Sequence, residues 1–191
     1  MNNNYDIPYS ERDLVFFDTE FTGLEFDHEL IEIGFVKAKR QTFEFIEEGD
    51  IKILSKDITK ADPNALDIIK YDSEEWAKEG VSLKEGMEKF LAHTENAILV
   101  GQNLPMDWLR LEQSLHASGL KANYYYKGLD TFSLGWLLFE NEPGFERMSL
   151  REMADFFKID RGQAHRALDD ARTTYEVFKA LVKYYEELKK K

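Results

Sequence analysis

Two acidic residues follow an apolar run near the start of the chain. Residues 14–17 have the pattern of a buried strand, and Asp18 and Glu20 come directly after it. Because successive side chains of a strand alternate between faces, these two carboxylates point to the same side. Polar strand ends are common in acidic proteins, however. The pair therefore indicates a chemical site only if other reactive groups converge on it.

A second polar pair follows a later apolar segment. Asn103 and Asp107 come just after residues 97–101, which have the pattern of a short buried strand. Ligands of open α/β sheets bind beyond the carboxyl ends of strands, and side chains four positions apart on a helix share a face. A purely structural interpretation also fits. Asn103 can cap a helix that has Pro105 in its first turn, where Asp107 suits the helix dipole.

A third candidate segment is GQAHRALDDA, which precedes a long apolar stripe. The stripe has helical spacing and consists of Leu168, Ala171, Tyr175, Phe178, Val182 and Tyr185. At about 100° per residue, Asp170 lies at the edge of this stripe and Asp169 points away from it. His165 can approach Asp170 only from a loop before the first turn, because five positions on a continuous helix separate side chains by about 140°. Gly162 makes such a loop possible.

The remaining pattern predicts the elements that position these groups. Strands at residues 13–18, from 30 onward, and at 42–54 predict an antiparallel meander with one buried face. Further along, the spacing predicts a helix from residue 82, a strand at 97–101, a helix at 105–118, a strand ending at 130, and helices at 131–139, 149–157 and 166–189. This order indicates an α/β fold with a mixed five-stranded sheet and flanking helices.

Composition and length restrict the class of protein. The 191 residues predict a single domain, 1–191, with flexible ends at 1–12 and 187–191. Cysteine is absent from the sequence, which excludes disulfides and thiolate metal sites. The first residues lack the basic and apolar regions of a signal peptide, and the apolar runs are too short for a membrane span. We therefore expect a cytoplasmic protein without membrane partners.

The charge balance is strongly acidic. There are 25 Lys and Arg against 37 Asp and Glu, a formal net charge of −12. Non-specific adhesion to a nucleic-acid backbone requires a basic surface, and the sequence shows no basic stripe. An acidic pocket that works through bound divalent cations is still compatible with this balance, because the ion inverts the local charge.

Together, the three segments resemble a known enzyme family. Their reactive residues have the order and spacing of the three motifs of DEDDh 3′→5′ exonucleases: Asp18, Glu20, Asp107, His165 and Asp170. This family includes epsilon-type proofreading subunits, RNase T and oligoribonuclease. The resemblance covers residues 13–181 and extends to the segments DTFSL and MSLREMADFF. It implies an RNase H-like fold.

The sequence departs from the family pattern in the second motif. Gln102 stands where the family commonly has His, and Met106 stands where it commonly has Phe. Neither position is a metal ligand in the family, so the departures concern the fit around the terminal nucleotide. A tyrosine in place of His165 would have indicated the sister DEDDy branch. The three tyrosines at 124–126 are interpreted as strand or packing residues rather than as base-stacking ones.

The resemblance implies a two-metal mechanism. The carboxylates of Asp18, Glu20, Asp107 and Asp170 would hold two divalent ions, Mg²⁺ or Mn²⁺, about 4 Å apart. Asp18 would bridge both ions, Glu20 and Asp170 would hold the water-side ion, and Asp107 would bind directly or through water. His165 would be the general base, since imidazole accepts protons near neutral pH.

The resemblance also implies a substrate. Thr22, Gly23 and Leu24 would hold the 3′-terminal nucleotide, with Leu24 against its base and with Asn103 and Met106 lining the pocket. The expected activity is removal of nucleoside 5′-monophosphates from 3′ ends of single-stranded DNA or RNA.

The acidic surface favours short strands, frayed ends or delivery by a partner, and a homodimer or a polymerase or repair partner is possible. A catalytically idle binding module on the same fold is the alternative. An unrelated α/β protein with chance motifs is a third possibility. The remaining histidines, His28, His93 and His116, are interpreted as surface or structural residues.

Overall fold

The computed structural model describes residues 7–163 and 165–190 of the chain. Its strands form one five-stranded sheet in the order β3-β2-β1-β4-β5. β1–β2 and β2–β3 are antiparallel pairs, whereas β1–β4 and β4–β5 are parallel. The strands are β1 (Leu14–Phe21), β2 (Leu30–Ala38), β3 (Phe45–Lys52), β4 (Ile98–Gly101) and β5 (Leu129–Asp130). The predicted mixed sheet and its meander are confirmed.

Helices cover both faces of this sheet. They are α1 (Pro63–Ile68), α2 (Ser73–Glu79), α3 (Leu83–Thr94), α4 (Pro105–Ala117), α5 (Thr131–Phe139), α6 (Leu150–Phe157) and α7 (Ala167–Leu188), with 3₁₀ turns at Tyr9–Glu11 and Ile58–Lys60. The sequence did not predict α1 and α2. Both are short and lack an apolar stripe, and each begins at an aspartate (Asp62 or Asp72) whose carboxylate accepts a backbone N–H of the first turn.

The expectation that only one face of the meander is buried was wrong. Val15 and Phe17 of β1 point into one apolar core, with residues of α3 and α4. Leu14 and Phe16 point into a second core on the opposite face, against α7. β1 and β2 therefore lie in the middle of a three-layer arrangement and are buried on both sides, which explains their nearly continuous apolar sequences.

Helix α7 approaches the sheet closely at one glycine. A Cβ atom at Gly34 would lie 2.0 Å from the carbonyl carbon of Ala167, the first residue of α7. Gly34 pairs with Asp18 across the β1–β2 ladder. Because Gly34 has no side chain, the start of α7 can pack on the sheet beside Asp18. This contact determines the position of the segment that carries His165 and Asp170.

The fifth strand is shorter than predicted. It contains only Leu129–Asp130, and the tyrosines at 124–126 lie in the irregular segment before it. Their interpretation as packing residues is supported at Tyr124, which is buried, packs edge-on against Trp108 at 5.3 Å and donates to Glu112 at 2.7 Å. The strand interpretation of these residues was wrong.

Part of each expected flexible end is structured. Arg12 is 2% exposed and donates to the carbonyls of Asn96 at 2.9 Å and Ile7 at 2.8 Å. Helix α7 continues through Leu188. Residues 1–6 and 191, the remainder of the two predicted ends, lie outside the described residues. Over the described ranges, the structure has no helix that is both long enough and apolar enough to cross a membrane.

Candidate active site

Asp18 and Glu20 lie within β1 rather than beyond it, because the strand continues to Phe21. A register irregularity follows at Glu20/Phe21. Both side chains are half-buried and point to the face on which Phe16 packs against α7. The alternation inferred from the sequence therefore places the two carboxylates together in the cleft at this edge of the sheet.

Asp107 is brought to the same cleft by the first turn of α4. Its Oδ1 accepts a short hydrogen bond from the hydroxyl of Thr19, the β1 residue between the two acidic positions. The capping interpretation of Asn103 was wrong. Asn103 has a left-handed φ of 56°, Leu104 is the cap residue, and the Asn103 N–H donates at 2.9 Å to Asp130. Asp130 thus organises this turn from the neighbouring strand.

His165 lies in the loop just before α7, as the spacing predicted. It has a left-handed φ of 63°, and its N–H donates to Oδ2 of Asp170 at 3.0 Å. Ligand atoms of His165, Asp170 and Glu20 all lie within 4.8 Å of one another. The neighbouring Asp169 instead accepts from the N–H of Gln163 at 2.9 Å and the side chain of Arg172 at 3.0 Å.

The four clustered carboxyls have raised pKa values. Burial is the largest cause at each, and mutual repulsion adds to it at Asp18 and Glu20. The pKa of Asp18 is well above its usual range, that of Glu20 is raised to about 8, and that of Asp107 to about 6, where the Thr19 hydrogen bond opposes the rise. The pKa of Asp170 is also raised, although His165 opposes this. The protein thus brings together four carboxyl groups whose joint ionisation is unfavourable without added positive charge.

This donor set suits hard divalent cations. It consists of carboxylate oxygens with an imidazole at the edge, and the sequence contains no cysteine. Oxygen-rich sites of this kind bind Mg²⁺ or Mn²⁺, and a bound cation would remove the repulsion that raises the pKa values. Asp18, Glu20, Asp107 and Asp170 are the residues that could hold such ions.

The carboxylates line one side of a cavity of about 600 Å³. Four of the five residues expected to hold substrate also line it: Gly23, Leu24, Asn103 and Met106. Thr22 does not. It is 3% exposed, and its hydroxyl accepts from the N–H of Glu29 at 2.8 Å, so it closes the loop that carries Gly23 and Leu24.

Helix α1 supplies a wall of the cavity that sequence reasoning missed. Asn64, Ala65 and Ile68 line it, and Ile68 is 51% exposed. Together with the exposed side chains of Leu24 and Met106, Ile68 forms an apolar rim. The available signal was the Asp62-Pro63 pair, a capping residue followed by proline at the first helical position.

A buried charge network behind His165 was also missed. Glu32 on β2 is 0% exposed and contacts Arg166 at 3.1 Å and the N–H of Ala167 at 3.4 Å. Arg166 also contacts Glu75 at 3.0 Å, and Glu75 lies 3.1 Å from Lys52. Burial raises the pKa of Glu32 to about 7, against the opposing effect of Arg166. These ion pairs hold the side chain of Arg166, the residue that follows His165, in place.

The remaining histidines occupy other surroundings. Nδ1 of His28 accepts from the N–H of Glu25 at 2.9 Å. His93 contacts Glu47 at 3.1 Å and packs on Phe35 with ring centres 4.5 Å apart. His116 is exposed. Their interpretation as structural or surface residues is supported.

Comparison with known sequences identifies relatives over nearly the whole chain. The family model described as RNase_T, exonuclease, matches residues 15–178. The PolC-type DNA polymerase III of Caldanaerobacter subterraneus subsp. tengcongensis is 31% identical over 183 residues, 93% of this chain and 12% of that protein. The corresponding protein of Thermotoga petrophila is 30% identical over 192 residues, 99% of this chain and 13% of that protein. The chain thus spans about an eighth of these relatives.

Solved structures share the fold at low sequence identity. A zinc-bound complex of E. coli exonuclease I with single-stranded DNA has a TM-score of 0.78 at 15% identity and covers 93% of this chain and 41% of that one. The E. coli enzyme with a dT13 oligonucleotide has a TM-score of 0.74 at 14% identity, covering 90% of this chain and 41% of that one. These matches confirm the predicted RNase H-like fold.

Proposed function

The chain belongs to the RNase T-type exonuclease family, and from this we propose that it is a metal-dependent DEDDh 3′→5′ exonuclease. The observation that carries the proposal is the convergence of ligand atoms of Glu20, His165 and Asp170 within 4.8 Å. Asp18 and Asp107 line the same cavity. We propose that it releases nucleoside 5′-monophosphates from single-stranded DNA or RNA.

The four carboxylates would hold two divalent ions, Mg²⁺ or Mn²⁺. When bound, these cations would supply a water of lowered pKa and a counter-charge for the leaving oxygen. Asp18 reaches this cluster from β1 and Asp170 from α7, so both protein layers must be in place to form the site. Thr19 holds the Asp107 carboxylate in position through its hydroxyl.

His165 is proposed as the general base that accepts the proton of the attacking water. It is exposed to the cavity, and its backbone is held by Asp170 and, through the next residue, by the Arg166–Glu32 pair. A positioned base of this kind contributes roughly 10²–10⁴-fold to a rate. We expect His165→Ala to retain metal binding and lose most of that factor.

The cavity has a size and lining suited to the 3′-terminal nucleotide of a nucleic-acid strand. Its volume of about 600 Å³ lies within the usual range for small-molecule pockets, and its rim of Leu24, Ile68 and Met106 offers apolar contact for a base. The two PolC-type relatives are DNA polymerases that contain a matching segment, which favours action with a polymerase or repair partner. A homodimer and a cytoplasmic location remain part of this proposal, as does a single exonuclease domain over 1–191.

The test is degradation of matched 5′-labelled DNA and RNA oligonucleotides with Mg²⁺ or Mn²⁺. We expect a ladder that shortens from the 3′ end, and loss of this ladder in Asp18→Asn. Asp13→Asn is the matched control, because Asp13 precedes the opposite end of the same strand and contacts only the exposed Lys39 among the pairs described. Folded wild-type protein that yields no ladder with either metal would favour the idle binding module.

A further inference from the structure

A second groove meets the carboxylate cavity at His165 and Asp170, which line both. The groove measures about 570 Å³, and three arginines line it: Arg147, Arg151 and Arg161. The sequence shows no basic stripe, and it did not predict this local cluster of arginines. Acidic residues separate these arginines along the sequence, and only the packing of α6 against the loop before α7 brings them together.

The α6 side of the groove is a fixed frame. Ser149 and Glu152 form a capping box at the start of the helix. The Glu152 carboxylate also accepts the N–H groups of Glu146 at 3.3 Å and Arg147 at 3.1 Å. Glu152 is therefore occupied by backbone donors, which hold the loop at Arg147 against the helix that carries Arg151.

The loop that carries Arg161 is also tied down. Gly162 has a left-handed φ of 58°, and its N–H donates to Asp160 at 3.2 Å. The positive charge of Arg161 lowers the pKa of Asp170, whereas burial raises it. Arg161 lines the same groove as His165 and Asp170.

Two of the arginines are only weakly paired with acidic side chains. Arg151 and Arg161 approach the two oxygens of a single carboxylate, Asp155, at 3.7 and 3.8 Å. Ion pairs of this length at a protein surface are weak, and the two guanidinium groups share one carboxylate. Arg151 is 75% exposed and can turn toward an anion.

We propose that this arginine groove binds the phosphates of the substrate strand that precede the scissile phosphodiester. This inference rests on the proposed function. The terminal nucleotide would occupy the carboxylate cavity with its apolar rim, and the preceding backbone would cross His165 and Asp170 into the groove. Guanidinium groups bind phosphate oxygens in pairs, which suits them to this role. The groove gives a protein of net charge −12 a local anchor for a single strand.

The test compares wild type with the triple variant Arg147→Gln, Arg151→Gln, Arg161→Gln. The probes are 5′-fluorescent twelve-nucleotide oligo(dT) and oligo(rU), and Kd is measured by anisotropy with Ca²⁺ across a range of KCl concentrations. Each phosphate contact on a single strand contributes about 0.7 to the slope of log Kd against log salt. We expect the triple variant to lose about 2 from this slope, and its KM for cleavage to rise more than its kcat falls.

Two further variants make the result specific. Arg151→Gln changes one exposed side chain and should lower the slope by about 0.7 without affecting folding. Arg40→Gln is the matched control at the opposite end of β2, where Arg40 stacks on Tyr9, and should leave the slope unchanged.

The possible outcomes separate the two proposals. An unchanged slope in a folded triple variant would overturn the groove assignment while leaving the exonuclease proposal intact. Wild type that binds with the expected salt dependence but cleaves neither probe would overturn the exonuclease proposal alone. Absence of binding by wild type that still cleaves the probes would overturn the groove assignment alone, and absence of both binding and cleavage would overturn both proposals.

Discussion

Replacing Glu20 by Gln should stabilise the metal-free protein at alkaline pH while abolishing its stabilisation by metal. The pKa of Glu20 is raised from 4.5 to about 8 by burial and by its acidic neighbours. Glutamine has the same shape but carries no charge. It therefore removes the repulsion among Asp18, Asp170 and position 20 without opening a cavity.

The sign and size of the expected change in unfolding free energy follow from the raised pKa of Glu20. Between pH 4.5 and about 8 the unfolded chain is ionised at Glu20 while the native site holds a proton, so stability falls as pH rises through this window. A difference of one in pKa between the folded and unfolded states corresponds to about 1.4 kcal/mol, so a rise from 4.5 to about 8 corresponds to about 5 kcal/mol of unfolding free energy. Because Glu20 is partly open to water in the cavity, we expect roughly 3 kcal/mol at pH 8.5, or about 6–12 °C in Tm for a chain of this length.

Thermal unfolding in EDTA from pH 4 to pH 9 tests this prediction. Wild type and Glu20→Gln should have similar stability near pH 4 and diverge as the pH rises, and adding Mn²⁺ should raise Tm only in wild type. Glu95→Gln is the matched control, because Glu95 is an exposed residue at the end of α3. Parallel pH curves for wild type and Glu20→Gln would refute the inference that ionisation of the carboxylate cluster destabilises the protein in EDTA.

Two further variants probe the groups around the carboxylates. Arg166→Gln leaves the buried Glu32 without its main partner and should destabilise the protein by roughly 3–5 kcal/mol. Chemical denaturation measures this loss, and the double variant with Glu32→Gln should recover stability but not kcat; equal recovery of both would contradict a positioning role. Thr19→Val removes the hydroxyl that donates to Asp107 and should raise the pKa of that carboxyl further above its value of about 6. Metal affinity, titrated through Tm, should then fall more at pH 6 than at pH 8, and an equal fall at both would contradict this reasoning.

Local patterns were sufficient to predict most of the elements and the local placement of the candidate site residues. Strand alternation placed Asp18 and Glu20 on one face, and helical spacing separated Asp170 from Asp169. The same angular argument required His165 to lie in a loop, where the structure places it. Each of these inferences depends on covalent geometry within a few residues, which the sequence alone determines.

Groups that depend on distant segments could not be predicted in this way. In the sequence, Glu32 resembles an ordinary solvent-facing polar residue of a strand. Its burial beside Arg166 depends on α7 docking where Gly34 has no side chain. Helix α1 packs no buried side chain into a core, and its Ile68 lines the cavity instead. Its sequence therefore has no apolar stripe that would predict it. The arginine groove could not be predicted from the net charge of −12, because a sum over the chain contains no information on where the charges lie. Local periodicity decides which face a side chain occupies, whereas only the packing of layers decides which faces meet.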